Sequence, residues 1–220
     1  MMTTSMPTPI VVYGASGHGR EVALLLTSMI DAGAPWRLLG YLDDDAAMHG
    51  RLIGDLRVLG DGSYLAARAG QVDVALGIGN PDARRRVVER IRAFVRAFPV
   101  LVHPSVPPFA RVTLGEGVQI HAGAILTIDI AIGAFSILNR HVDVSHDCRL
   151  GDWCTLAPAV TLAGNVHLAA GADLGARATC IPAVRIGAWS VIGAGAVVTR
   201  DVPDGVTAVG VPARALSLAS

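Results

Sequence analysis

Val142-Asp-Val144-Ser-His146-Asp-Cys148-Arg-Leu150-Gly-Asp-Trp-Cys154-Thr-Leu156-Ala-Pro-Ala-Val160-Thr-Leu162 carries the period that decides the fold. Val144, Leu150, Leu156 and Leu162 fall six residues apart. Followed outward, the column begins with Leu114, Ile120, Leu126, Ile132 and Leu138. It ends with Leu168, Leu174, Cys180, Ile186, Ile192 and Val198, and only Cys180 is not aliphatic. Two residues before each member runs a second column of small or apolar residues, among them Val118, Ala124, Val142, Cys148, Cys154, Val160, Ala172 and Ala178. Gly or Ala often follows the first column, as at Gly115, Gly133, Gly151, Gly175 and Gly187. Six matches neither a 3.6-residue helix nor a lone alternating strand. It matches a two-sided unit of short strand and corner, three of which close a triangular coil of 18 residues. Stacked coils bury their aliphatic columns against one another, as solenoids do. The glycines after the first column are expected to permit the tight turn.

The first hundred residues read differently. Ile10–Tyr13 is a short apolar strand running into Gly14-Ala-Ser16-Gly17-His18-Gly19, then a helix. Strand, glycine loop and helix N-terminus make a cradle for phosphate. Leu38–Leu42 is a second strand ending in Asp43 and Asp44, and Val72–Ile78 a third, ending in Gly79-Asn80. A helix from Pro81 to about Arg96 follows. The spacing G-x-x-G-x-G departs from the dinucleotide fingerprint, and so few residues make one nucleotide-binding half, not two. Gly14, Ser16, Gly17, His18, Gly19, Asp43, Asp44, Gly79 and Asn80 are therefore the expected set for binding a nucleotide or nucleotide-sugar, along the carboxyl edge of the sheet. The expected segments are a flexible 1–9, a half-Rossmann-like α/β domain at 10–102, a parallel β-helix at 103–199 and a C-terminal tail at 200–220.

Composition narrows the chemistry. Acidic and basic residues balance at 18 each, which speaks against a nucleic-acid or anionic-membrane partner. Every basic residue is Arg, so lysine Schiff-base chemistry is excluded. The cysteines Cys148, Cys154 and Cys180 fit no zinc spacing and suit a reducing compartment. No secretory leader is read in residues 1–9, so a cytoplasmic protein is expected.

Several motifs occur together: Gly14-Ala-Ser-Gly17-His-Gly19, Tyr41-Leu-Asp-Asp44, Gly77-Ile-Gly-Asn80, Ser145-His-Asp-Cys148, Ala163-Gly-Asn165 and Val209-Gly-Val-Pro-Ala-Arg214. The set resembles the hexapeptide-repeat sugar O- and N-acetyltransferases, including those acting on sialic acids and on nucleotide-linked 4-amino sugars. The resemblance implies a left-handed coil, acetyl-CoA as co-substrate without a metal, and a homotrimer with active sites between subunits. It implies that His146 is the general base, that Asp147 supports it, and that the Gly164 amide, one coil on, meets the thioester oxygen. It places acetyl-CoA along Thr155, Gly164, Gly175, Ala176 and Ala194, with Gly210, Pro212 and Arg214 bordering it. Where the family often has a second histidine, nine residues after the base, this chain has Thr155. The expected reaction is N-acetylation of a 4-amino group on a nucleotide-linked amino-deoxysugar in surface-glycan biosynthesis, with O-acetylation of a sialic-acid-type sugar as the alternative. His141 is the next candidate base. A γ-carbonic-anhydrase-like metal site would use His141 and His146, but Ser105 stands where its third ligand should be. A non-catalytic scaffold would need neither His146–Asp147 nor the glycine crevice.

Overall fold

The computed structural model describes residues 6–216, which divide into two compact units. The first is a three-layered half of a nucleotide-binding fold. Its parallel sheet has the order β2-β1-β5, with β1 at Thr8–Tyr13, β2 at Trp36–Leu42 and β5 at Asp73–Leu76. Helix α1 (Gly17–Asp31) connects β1 to β2. A small hairpin, β3 (Leu52–Ile53) with β4 (Leu56–Arg57), and the one-turn α2 (Ser63–Ala66) precede β5, and α3 (Pro81–Ile91) follows it. Ile10, Val11, Val12, Val22, Leu26, Leu42, Leu65 and Leu76 fill the core between these layers.

Two boundaries and one small element of this unit differ from the sequence reading. Thr8 and Pro9 pair with Trp36 and Arg37, so they belong to β1 and not to a flexible arm; residues 1–5 lie outside the described residues. Helix α3 stops at Ile91, not near Arg96; a 3-10 turn carries the chain over Arg92–Phe94, and it becomes extended at Val95. The Arg96 N–H donates to Val72 O at 2.9 Å and Ala97 O accepts from Val74 N at 3.0 Å, extending the sheet edge. The small hairpin at Leu52–Arg57 had no sequence signal strong enough to read.

The second unit is the left-handed parallel β-helix. Its strands form three faces of five, eight and five strands. The first face runs from Ala110–Leu114 to Arg185–Ile186, and the second from Leu101–Val102 to the tail. The third runs from Ile125–Leu126 to Val197–Val198. Partners sit one rung apart, as Asp143↔Thr161↔Thr179 and Arg149↔His167↔Arg185. Every member of the aliphatic column except Leu114 is buried, and the second column is buried with it from Val118 to Ala196. Ser136 and Ser190 stand in that second column at 0 % exposure. Each satisfies its hydroxyl there: Ser136 Oγ donates to Gly151 O and accepts from Cys154 N, and Ser190 Oγ donates to Pro203 O and accepts from Val206 N. Burial pushes the Cys148 thiol up and the Cys180 thiol up to about 12, so both are inert core residues.

The coil is longer than 103–199. Leu101–Val102 pairs with Gln119–Ile120 and is its first strand, while Thr207–Val209 pairs with Val191–Ile192 beyond Val198. The six-residue spacing fails there because this last rung is short: Val191 faces Thr207, 16 residues on. The chain then folds back, with Arg214–Ala215 antiparallel to Thr207–Val209.

The corners also turn differently from expectation. The glycines after the aliphatic column do not carry the positive φ. A Cβ on Gly115 would come within 2.5 Å of Ala134 N, and one on Gly175 within 2.6 Å of Ala194 N, so these are glycines because the next rung's backbone lies against them. The left-handed residue comes two positions later. Among the described residues eleven that are not glycine take it, including Asp147 at φ 62° and Asn165 at φ 60°. Asn and Asp tolerate that region best. Phe135 and Trp153 occupy it too, with rings stacked at 4.5 Å centroid separation and 8°.

Candidate active site

His146 follows the buried Val144 by two residues and stands on the corner between the third face and the first. Its side chain is 62 % exposed and that of Asp147 59 %. His146 Nδ1 lies 2.8 Å from Asp147 Oδ2. A carboxylate only accepts, so this contact places a proton on Nδ1, and the neutral form of the ring carries its lone pair on Nε2. The left-handed φ of Asp147 sets its carboxylate beside the ring.

Gly164 is the residue one rung above. A Cβ built there would fall 2.5 Å from His146 Cε1 and 2.6 Å from Nε2. The imidazole therefore occupies the volume that any side chain at 164 would need. The rung is fixed on both sides: Asn165 N donates to His146 O at 2.8 Å and Ala183 N to Gly164 O at 3.0 Å. The Gly164 N–H has no hydrogen-bond partner among the described residues. A lone pair and a free amide thus stand together at one exposed corner.

The remaining coil candidates are not at this corner within one protomer. Gly175, Ala176 and Ala194 share the corner between the second and third faces, where Gly195 N donates to Ala176 O at 2.8 Å. Thr155 lies on the second face between Ile137 and Asp173, half a coil from His146. Gly210 (φ 94°) and Pro212 form the turn before Arg214, and Val197 binds that turn through both Gly210 O and Ala213 N. Arg214 Nη1 donates to Ala213 O and is exposed. His141 occupies a different corner from His146, with its ring over Gly123. Ser105 accepts or donates at His103 Nδ1, 2.8 Å away, and accepts from Gly123 N. Among the described residues no three His, Cys, Asp or Glu side chains converge as metal ligands would. No helix of the described residues is long and apolar enough to cross a membrane.

In the α/β unit the glycine loop is shaped by close backbone packing. Gly14 has φ +105°, and its Cβ would stand 2.7 Å from Gly77 O; a Cβ on Gly19 would overlap Gly14 O. Gly17 and Gly79 are different. Neither has positive φ, Gly79 has nothing within 4 Å of its Cβ position, and Gly17 meets only Arg20 Nη2 at 3.9 Å. The fold does not demand glycine at either place. Ser16 caps α1 without a side-chain bond, and an open depression borders Gly17, His18, Arg20, Glu21 and Leu24. His18 Nδ1 stands 3.5 Å from Glu21 Oε2.

The two aspartates expected to bind sugar or base already have protein partners. Asp43 Oδ2 accepts from Ala15 N at 2.8 Å and Oδ1 from Asp45 N at 2.9 Å, so its carboxylate buckles the glycine loop to the end of β2. Asp44 accepts from Tyr13 Oη at 2.6 Å and pairs with Arg90. Burial, then Asp44, pushes the Tyr13 hydroxyl up to about 12. Arg84 had no place in the sequence reading and is the largest fully buried side chain among the described residues. Its signal was present: Arg84, Val87, Val88 and Ile91 follow the i, i+3, i+4, i+7 stripe of a buried helix face.

A glycine-loop α/β unit followed by a left-handed β-helix with a histidine–aspartate corner over a bare glycine amide defines a β-helix acyltransferase. The profile of the PglD N-terminal domain matches residues 9–91. GDP-perosamine N-acetyltransferase of Escherichia coli O157:H7 is 31% identical over 210 residues, 92% of this chain and 94% of that one. The crystal structure of PerB from Caulobacter crescentus, in complex with CoA and GDP-perosamine, superposes with TM-score 0.86 at 35% identity, covering 95% of this chain and 97% of that one. WeeI from Acinetobacter baumannii AYE gives TM-score 0.86 at 32% identity, covering 95% and 100%. The chain belongs to the hexapeptide-repeat sugar acetyltransferase family, and its reaction is acyl transfer to a sugar.

Proposed function

We propose that this protein transfers the acetyl group of acetyl-CoA to the 4-amino group of a nucleotide-linked amino-deoxysugar. GDP-perosamine, which the Escherichia coli relative acts on and PerB binds, is the first acceptor to test. The observation that carries the reading is the 2.8 Å His146–Asp147 contact with its ring seated over Gly164.

The sugar amine attacks the thioester carbon while Nε2 of His146 removes its proton. Negative charge grows on the thioester oxygen, and the Gly164 N–H stabilises it. Asp147 holds the tautomer and stabilises the imidazolium without taking the proton. Collapse breaks the carbon–sulfur bond, the imidazolium returns its proton to the departing thiolate, and the products are the N-acetyl sugar and CoA. The α/β unit holds the nucleotide diphosphate at the Gly14–Gly19 loop, where Gly17 leaves room for phosphate oxygens. This would place the enzyme in surface-glycan biosynthesis.

The assembly is a homotrimer in this reading. Thr155 and the Gly175–Ala194 corner lie away from His146 round the coil, so one acetyl-CoA touching all of them needs two copies. Incubation of acetyl-CoA with GDP-perosamine, UDP-linked 4-amino sugars and free sialic acid, read by mass spectrometry, tests the reaction. Gain of one acetyl group on a nucleotide-linked amine is expected. Acetylation of sialic acid alone would replace the reading with O-acetyl transfer.

A further inference from the structure

Arg84 is 0 % exposed. A guanidinium stays charged at every accessible pH, and burying one is costly unless its donors are matched. Arg84 Nη1 donates to two successive carbonyls, Ile78 O at 2.9 Å and Gly79 O at 2.8 Å. These lie in the segment Gly77-Ile-Gly-Asn80, between β5 and the first residue of α3. In a planar trans peptide the C=O and the following N–H point in opposite directions. With both carbonyls turned to Arg84, the N–H groups of Gly79 and Asn80 are turned away from it. Gly77 is packed against Gly14 and Gly19, but Gly79 widens the conformational range of the peptides on either side of it. Gly79 has no side chain to pack, and its Cβ position faces open space. A buried cation thus holds the orientation of two successive peptides in the segment between β5 and α3.

We propose that Arg84 is a positioning residue of the acceptor site, presetting the Gly79 and Asn80 peptides against which the nucleotide-linked sugar binds. The inference rests on the acceptor reading above. The loop's order is then supplied by the protein before binding, so the ligand need not supply it.

Three proteins decide it: wild type, Arg84→Lys, which keeps one cationic donor, and Arg84→Ala. Each is measured by calorimetry with GDP, by steady-state kinetics against GDP-perosamine and acetyl-CoA separately, and by thermal melting. Ordering one loop residue costs a factor of about ten, so Arg84→Lys should weaken GDP and raise the acceptor KM about tenfold. Its acetyl-CoA KM and kcat should stay near wild type. Arg84→Ala should lose about a hundredfold, and millimolar guanidinium ion should restore part of the GDP affinity. Unchanged GDP affinity in a folded Arg84→Lys protein overturns the proposal. So does failure of Arg84→Lys to fold, or equal losses for both substrates, since these mark a purely structural arginine. A wild type that binds neither GDP nor GDP-perosamine overturns the acceptor reading itself, and the inference with it.

Discussion

Gly164→Ala separates the seat of the histidine from the stability of the coil. The new Cβ would lie 2.5 Å from His146 Cε1, against an ordinary contact of at least 3.4 Å, so the ring must retreat by about 0.9 Å. It is free to do so, because the His146 side chain is 62 % exposed, and Gly164 does not have a positive φ that would strain alanine. Stability should therefore change by less than about 0.5 kcal/mol. The Asp147 contact at 2.8 Å cannot survive such a shift unless the carboxylate follows, and a displacement near 1 Å costs about 10²-fold in rate. The backbone N–H remains, so any oxyanion stabilisation is kept. The expected result is kcat lowered about a hundredfold, unchanged melting temperature and nearly unchanged KM for both substrates. Steady-state kinetics beside calorimetry on the purified variant reads all three. Full kcat in Gly164→Ala would refute the idea that the imidazole works from this position. A large drop in melting temperature would refute the claim that only the ring is in the way.

Four further outcomes follow from the same geometry. His146→Ala should lower kcat by about 10²–10⁴-fold with the fold intact, Asp147→Asn should lose less, and His141→Ala should keep activity; kinetics on the three variants ranks them. Tyr13 titrates near 12 when folded against 10.0 as its ordinary value, so the native state holds that proton more tightly. Its contribution to stability is present below pH 10 and falls as pH rises toward 12, and alkaline unfolding of Tyr13→Phe should lack that fall. Leu156→Ala, at a fully buried rung, should cost about 2–5 kcal/mol in urea unfolding. Gly17→Val should raise the acceptor KM without moving the acetyl-CoA KM, and light scattering should give a trimer for it as for wild type.

The coil was legible because each rung repeats the same burial demand, so fifteen positions vote on one register and local exceptions such as Cys180 cannot hide it. The site corner was legible for the same reason: eighteen residues from His146 leads to Gly164. The corner conformation was not, because its left-handed position holds Asp129, Phe135, His141, Trp153 and Ala159 alike, and residue type carries no common mark of that φ. The hydroxyl partners of Ser136 were not legible either, because the column marks where a small residue is buried and not which carbonyl and N–H will meet it. In the α/β unit each strand occurs once, so edges such as Thr8–Pro9 had no second copy to confirm them. The protein partners of Asp43 and Asp44 were not legible for a chemical reason: a carboxylate after a strand looks the same whether it will meet a ligand, a backbone N–H or a tyrosine.

The rung spacing governs how this gene can change length. Eighteen inserted residues add a floor to the prism and leave every column and corner aligned. Six inserted residues between His146 and Gly164 would also satisfy the hydrophobic columns, so the product should fold, yet the glycine would move to the neighbouring corner and another residue would take its place above the imidazole. One or two inserted residues would disturb both, unless extruded as a loop from a corner. Duplication of whole rungs outside the His146–Gly164 pair is therefore the silent route to longer coils, and a hexad between them is the smallest insertion that keeps the hydrophobic columns while parting the histidine from its glycine.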